Sequence, residues 1–187
     1  MAAIHVLDRA TAELIAAGEV IERPSSVVKE LVENAIDAGA SSVTVELQNG
    51  GVRYIRVTDD GCGIAREDVP KAFLRHATSK VFTPEDLYQI GTLGFRGEAL
   101  ASIAAVSHVE LLTKMEEEVL GTRYVIDGGV PGELTDAGCP TGTTIVVRDI
   151  FYNVPARMKF LKKDTTEGNA ISGLLDRLSL SHPEVSF

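Results

Sequence analysis

Three side chains with chemical reach stand at close spacing in Val27-Val28-Lys29-Glu30-Leu31-Val32-Glu33-Asn34-Ala35-Ile36-Asp37-Ala38. They are Glu30, Asn34 and Asp37. At about 100° per residue they share a wedge roughly 60° wide on a helix, beside an apolar arc made by Val27, Val28, Leu31, Val32, Ala35 and Ile36. Lys29 and Glu33 fall at the other edge of that arc. A carboxylate and an amide one helical turn apart can reach one small object from the same side, so the wedge could line a cleft. Taken alone, the helix fits a solvated charged face better than a cleft wall, so the remaining segments must decide between the two.

A second group lies at Asp59-Asp60-Gly61-Cys62-Gly63-Ile64, where two glycines allow a ligand to approach the backbone closely; by itself this is also a plain turn. A third lies at Gly94-Phe95-Arg96-Gly97, ahead of an apolar helix expected from Glu98 to Val106. Free N–H groups at such a helix start favour a phosphate, although a glycine turn capping a core helix has the same sequence. No GxxxxGK[ST] occurs, and the spaced glycines do not follow a strand directly, so neither a P-loop nor a dinucleotide fingerprint is present.

The elements that must position these groups follow from patterning. Asp8 caps a first helix containing Leu14 and Ile15, with Gly18 as its expected stop. Pro24 suits the first turn of the central helix and Gly39 its end. Alternation at Val43, Val45 and Leu47, the turn Asn49-Gly50-Gly51, and alternation at Ile55 and Val57 predict a β-hairpin that leads into Asp59. A short helix is expected over 66–74. A long weakly periodic stretch, 75–97, belongs to the kind of loop that carries function. Strands are expected at 109–112, 124–126 and 144–147, closing helices at 155–161 and 167–180, and a strand start at 183–187. The fold class is α+β, with helices packed on one face of a mixed, mostly antiparallel sheet.

The 187 residues, 44% of them hydrophobic, can bury one core. No apolar run of eighteen and no basic-then-apolar leader occurs, so the expectation is a cytoplasmic chain without a membrane span. Cys62 and Cys139 read as free thiols. A formal charge of −9 argues against these residues alone gripping a phosphate backbone.

In order, Glu30-x-x-x-Asn34-x-x-Asp37-Ala38, Asp59-x-Gly61-x-Gly63, Gly94-Phe95-Arg96-Gly97 and Gly142-Thr143 resemble the four motifs of the GHKL (Bergerat-fold) ATPases. Within that superfamily, Ala16-Ala17-Gly18-Glu19-Val20, Arg75-His76-Ala77-Thr78-Ser79-Lys80, Gly94 to Leu100 and Phe151-Tyr152-Asn153-x-Pro155-Ala156-Arg157 are similar to the MutL family of DNA mismatch-repair ATPases. The resemblance covers essentially the whole chain. It implies ATP and Mg²⁺ as cofactors, Glu30 as the base acting on the attacking water, Asn34 as a magnesium ligand, and Asp59 as the adenine reader backed by the Thr143 hydroxyl. It further implies Gly61 and Gly63 beside the base, and a lid over residues 75–97 that brings Thr78, Ser79, Lys80, Gly94, Phe95, Arg96 and Gly97 around the phosphates. For Arg96 a salt bridge holding the lid to Glu98 or another acid is at least as good a reading as phosphate contact. Asp37 is expected to bond within the pocket wall, and His76 to make a packing or polar contact.

The family also implies an arm and first helix over 1–20, an ATP-binding domain over 21–187, and a following domain with a phosphate-sensing lysine that this sequence does not reach, so a truncated chain and slow turnover are expected. Implied partners are a second copy through ATP-dependent N-terminal contacts, a mismatch-recognition protein and DNA, with nucleoid association in a bacterium. The alternatives are a kinase-like transferase, which would have no need of Glu30 as a water-activating base, a chaperone or topoisomerase on the same fold, and a non-catalytic module in which the nucleotide is only structural.

Overall fold

The structure, a computed structural model, describes residues 4–78, 93–94 and 97–187. Its centre is α2, Pro24–Asp37, with Pro24 in the first turn and Val27, Val28, Leu31, Val32 and Ala35 buried. Gly39 follows with φ +75°, the left-handed turn that ends a helix most cheaply in glycine. Before it, α1 spans Arg9–Val20, and Asp8 caps it by accepting the Thr11 N–H. This helix runs through Gly18 instead of stopping there. The reason is packing: a methyl group on Gly18 would sit 2.8 Å from the Arg157 guanidinium, so that glycine makes room for a side chain distant in sequence.

Six strands form one sheet: β1 Val43–Gln48, β2 Tyr54–Asp59, β3 His108–Lys114, β4 Gly121–Asp127, β5 Val130–Ala137 and β6 Gly142–Arg148. Their order is β1-β2-β6-β3-β4-β5, and every pairing between them is antiparallel. The parallel element is one bridge, Ser42 to Ser186, where the expected strand start over 183–187 docks on the edge beside β1. β5 escaped the sequence reading because Pro131 and Gly132 interrupt its pattern; as the edge strand it tolerates them. The segment 66–74 forms turns and a single 3-10 turn, Lys71–Phe73, instead of a helix, with Pro70 just before it. α3 is Ala99–Ala105, α4 is only Pro155–Met158, and α5 is Asp164–Ser181.

One face of the sheet packs on the helices. Val57, Ile145, Leu111 and Tyr124 stand in one cross-strand row, and Ile55, Val147, Val109 and Ile126 in the next alternate row, all of them buried. The outer face carries charge pairs, such as Glu110 with Arg123 at 2.7 Å and with Arg148 at 3.2 Å. α5 is tied to the start of α2 by Glu167, fully buried, whose carboxylate accepts from Arg23 Nε at 3.1 Å and Nη2 at 3.0 Å.

Candidate functional site

The period of two that places Val57 and Ile145 on the helix-facing side places Asp59 there as well. Asp59 pairs with Thr143, Thr143 with Thr113, and Thr113 with Thr122, so the last inward-facing row of the sheet is polar where the others are apolar. Thr113 and Thr122 are fully buried in it. The Thr113 hydroxyl receives the Ile64 N–H at 2.9 Å, lies 3.0 Å from the Gly142 carbonyl oxygen, and meets the Thr143 hydroxyl at 3.0 Å. It thereby joins the loop after β2 to the start of β6. Thr113 carried no sequence signal, since only strand register brings it beside Thr143.

Asp59 is held through one oxygen. Its Oδ1 accepts the Gly61 N–H at 2.9 Å and the Thr143 N–H at 3.2 Å, which leaves Oδ2 for something else. Burial pushes the carboxyl above the ordinary range, and the two amide bonds offset that only in part. Thr143 thus backs Asp59 directly through its backbone, while its hydroxyl turns to Thr113. The glycines are needed sterically: a side chain on Gly63, at φ +75°, would run into the Lys114 carbonyl, and one on Gly142, at φ +112°, into that of Asp59. Gly61 passes close under Ala38, whose carbonyl accepts the Cys62 N–H at 3.0 Å. The glycine loop is in this way fastened to the end of α2. Asp60, which sequence reading left without a role, accepts from the Ser41 and Ser42 N–H groups and the Ser41 hydroxyl, bonds that hold its carboxyl below the ordinary range.

On α2, Glu30 and Asn34 are partly buried. Lys29 Nζ lies 3.3 Å from Glu30 Oε1 and 2.8 Å from Glu33 Oε2, so one ammonium serves both carboxylates. Asp37 does more than bond within the wall. Its two oxygens accept the Leu93 N–H at 3.1 Å and the Gly94 N–H at 3.3 Å, which attaches the far end of the 75–97 segment to the central helix. The Gly94 amide expected at a phosphate is directed to Asp37 here. The ends of that segment also meet each other: His76 Nδ1 is 3.3 Å from Glu98, and a side chain on Gly97 would collide with the Ala77 carbonyl. Thr78 is partly buried just beyond. Ser79, Lys80, Phe95 and Arg96 lie outside the described residues.

A cavity of about 350 Å³ opens beside the glycine loop, lined among others by Gly61, Cys62 and Thr141. Glu116 and Glu117 also line it, which makes it a poor home for a polyanion. Among the described residues no cluster of three or more His, Cys, Asp or Glu could hold a metal, and no helix is long and apolar enough to cross a membrane.

The family model described as histidine kinase-, DNA gyrase B-, and HSP90-like ATPase matches residues 21–127. The DNA mismatch repair protein MutL of Agathobacter rectalis is 58% identical over 184 residues, which are 98% of this chain and 28% of that protein. MutL of Thermoanaerobacter pseudethanolicus is 59% identical over 184 residues, 98% of this chain and 30% of its own length. This chain therefore spans under a third of these relatives. Among solved structures, the Aquifex aeolicus MutL ATPase domain complexed with ADP superposes with a TM-score of 0.73 at 38% identity, covering 89% of this chain and 58% of that one. With a polar row ending in Asp59, two glycines beneath it and the Glu30–Asn34 helix fastened alongside, the chain belongs to the histidine kinase-, DNA gyrase B- and HSP90-like ATPases and, within them, to the N-terminal ATPase region of MutL proteins.

Proposed function

We propose that this chain binds ATP with Mg²⁺ and hydrolyses it slowly, as the switch of a MutL-type mismatch-repair protein. The observation that carries this reading is Asp59, fixed through Oδ1 by two backbone donors and left with Oδ2 as an acceptor at the end of the polar row. Oδ2 accepts the exocyclic amino group of adenine, whereas the carbonyl oxygen of guanine in that place would face a carboxylate and be repelled. Gly61 and Gly63 let the backbone pass close to the base.

Glu30 orients the water that attacks the γ-phosphate and takes its proton. A carboxylate is a weak base, so position contributes more than basicity and turnover is slow. The Asn34 amide oxygen is the protein's ligand to Mg²⁺. A single neutral ligand suffices, because magnesium takes most of its remaining oxygens from phosphates and water. When bound, the metal neutralises charge developing on the phosphates. Thr78, Ser79, Lys80, Gly94, Phe95, Arg96 and Gly97 close over the phosphates as a lid, in which case Asp37 must release the Gly94 amide or the contact runs through neighbouring amides.

Residues 1–20 serve as an arm and first helix and 21–187 as the nucleotide-binding domain. In the whole protein, ATP orders lid and arm, two N-terminal regions associate, and DNA and a mismatch-recognition protein are engaged until hydrolysis resets the assembly in the cytoplasm. Steady-state turnover and nucleotide binding in the full-length protein test the chemistry. Glu30→Ala should bind ATP and lose about 10²-fold or more in kcat, and Asn34→Ala should lose Mg·ATP binding. Full activity in Glu30→Ala refutes the mechanism.

A further inference from the structure

Away from the Asp59 loop, the start of α2 and the middle of α5 enclose an open cleft of about 440 Å³. Arg23, Lys29 and Arg177 line it together with the polar side chains of Ser25, Ser26 and Asn169, and no carboxylate is among its lining residues. On a chain of net charge −9, three converging cations are a local reversal of sign. Carboxylates accompany two of them, and Lys29 is shared between Glu33 and the partly exposed Glu30. Glu167, fully buried, grips Arg23 along Nε and Nη2 and so fixes the direction of its guanidinium, while Glu33, 8% exposed, holds Lys29.

Arg177 is different. It is exposed, its Nη1 lies 3.7 Å from the position a side chain on Gly173 would take, and among the described residues it has no charged partner. Gly173 and Ala170 are small enough to leave this wall open. The start of α2 adds to the field, because its N-cap is Arg23, which provides no side-chain acceptor for the first N–H groups of a helix of 14 residues.

We infer that this cleft is a binding site for phosphate groups, separate from the nucleotide site. Arg177 is its free ligand, Arg23 a pre-oriented second, and Ser25 and Ser26 the donors from α2, with Lys29, shared between Glu30 and Glu33, adding positive charge. The separation follows from helix geometry. Ser25 and Asn34 are about 180° apart around α2, and Ser26 lies about 18 Å along the axis from Ala38, where the glycine loop is fastened. The cleft has room for more than one phosphate, as a free polyphosphate or consecutive diesters of a nucleic-acid backbone would bring.

The test is a titration of this chain, isotopically labelled, with inorganic pyrophosphate and separately with a single-stranded oligonucleotide of ten thymidines, followed by backbone amide chemical shifts. Saturating shifts at Ser25, Ser26, Asn169 and Gly173 are expected. They should weaken about tenfold in Arg177→Ala, recover in part in Arg177→Lys, and weaken steeply with added salt. Shifts at Gly61 and Gly63 report the nucleotide site separately, so loss of that site would leave the cleft's signal intact. Tighter binding of the oligonucleotide than of pyrophosphate at equal ionic strength assigns the backbone as the source, and the reverse order assigns free polyphosphate. No saturation by either probe, or saturation indifferent to Arg177→Ala in a variant whose spectrum is otherwise unchanged, overturns the inference.

Discussion

Asp59→Asn separates recognition from folding more sharply than any truncation at this site. The substituted amide has one orientation open to it. Its oxygen must take the place of Oδ1, where the Gly61 and Thr143 N–H groups converge at 2.9 and 3.2 Å, because the NH₂ group there would face two donors. The NH₂ is then forced into the place of Oδ2, toward the amino group of adenine. A charge-assisted hydrogen bond is lost and two donors are opposed, which together cost about 3 kcal/mol, or roughly two orders of magnitude in ATP affinity.

Folding should not suffer from the same change. Burial holds the Asp59 carboxyl above its ordinary range, so the folded chain keeps its proton to higher pH than the unfolded chain does. This residue's contribution therefore falls as pH rises from the ordinary carboxylate range, near pH 4, through the raised folded value. Asparagine carries no such charge. Its melting temperature should match the parent's in acid and equal or exceed it at neutral pH. Calorimetric titration with ATP and thermal melts at pH 3.5 and 7 supply both numbers. Unchanged ATP affinity in a folded Asp59→Asn protein would refute the assignment, and a variant markedly less stable at pH 7 would refute the account of its burial.

Three further substitutions address the supports. Thr113→Val keeps shape but leaves the Ile64 N–H and the Gly142 carbonyl without their hydroxyl; it should lower stability by about 1–3 kcal/mol in a denaturant titration and weaken nucleotide binding with it. Glu167→Gln removes the charge and one of the two acceptor oxygens that tie Arg23 to α5. Burial alone would raise the Glu167 carboxyl, but Arg23 and the Lys162 N–H outweigh it and hold it below the ordinary range, so its contribution is present at neutral pH and lost as pH falls through the folded value. With Arg23 partly exposed the loss should be about 1–3 kcal/mol at pH 7, shrinking in acid. Asp37→Asn retains one acceptor where two are used, and hydrogen exchange at the Leu93 and Gly94 amides should accelerate while those of Val28 and Leu31 keep their protection. Unaltered exchange at all four would show that Asp37 does not tether that segment.

The sequence by itself determined the central helix, the hairpin that delivers Asp59, the inward set of the sheet and the family, because each rests on local periodicity or on residue types at fixed spacing. Glu30 and Asn34 share a face on any helix, and Gly61 and Gly63 loosen any chain. Tertiary structure decided what those residues meet. Edge position rescued β5 despite Pro131 and Gly132, and Gly18 lies inside a helix against the Arg157 guanidinium instead of ending it. Pairing between strands distant in sequence placed Thr113 in the row of Asp59 and Thr143, and turned the Thr143 N–H onto Asp59. Asp37, which the helical wheel ranks equal to Glu30 and Asn34, acquired its part from a loop more than fifty residues away. Spacing along the chain fixes which side chains can act together, but the hydrogen-bonding partner of a buried polar group is chosen by whichever strand or loop packs against it.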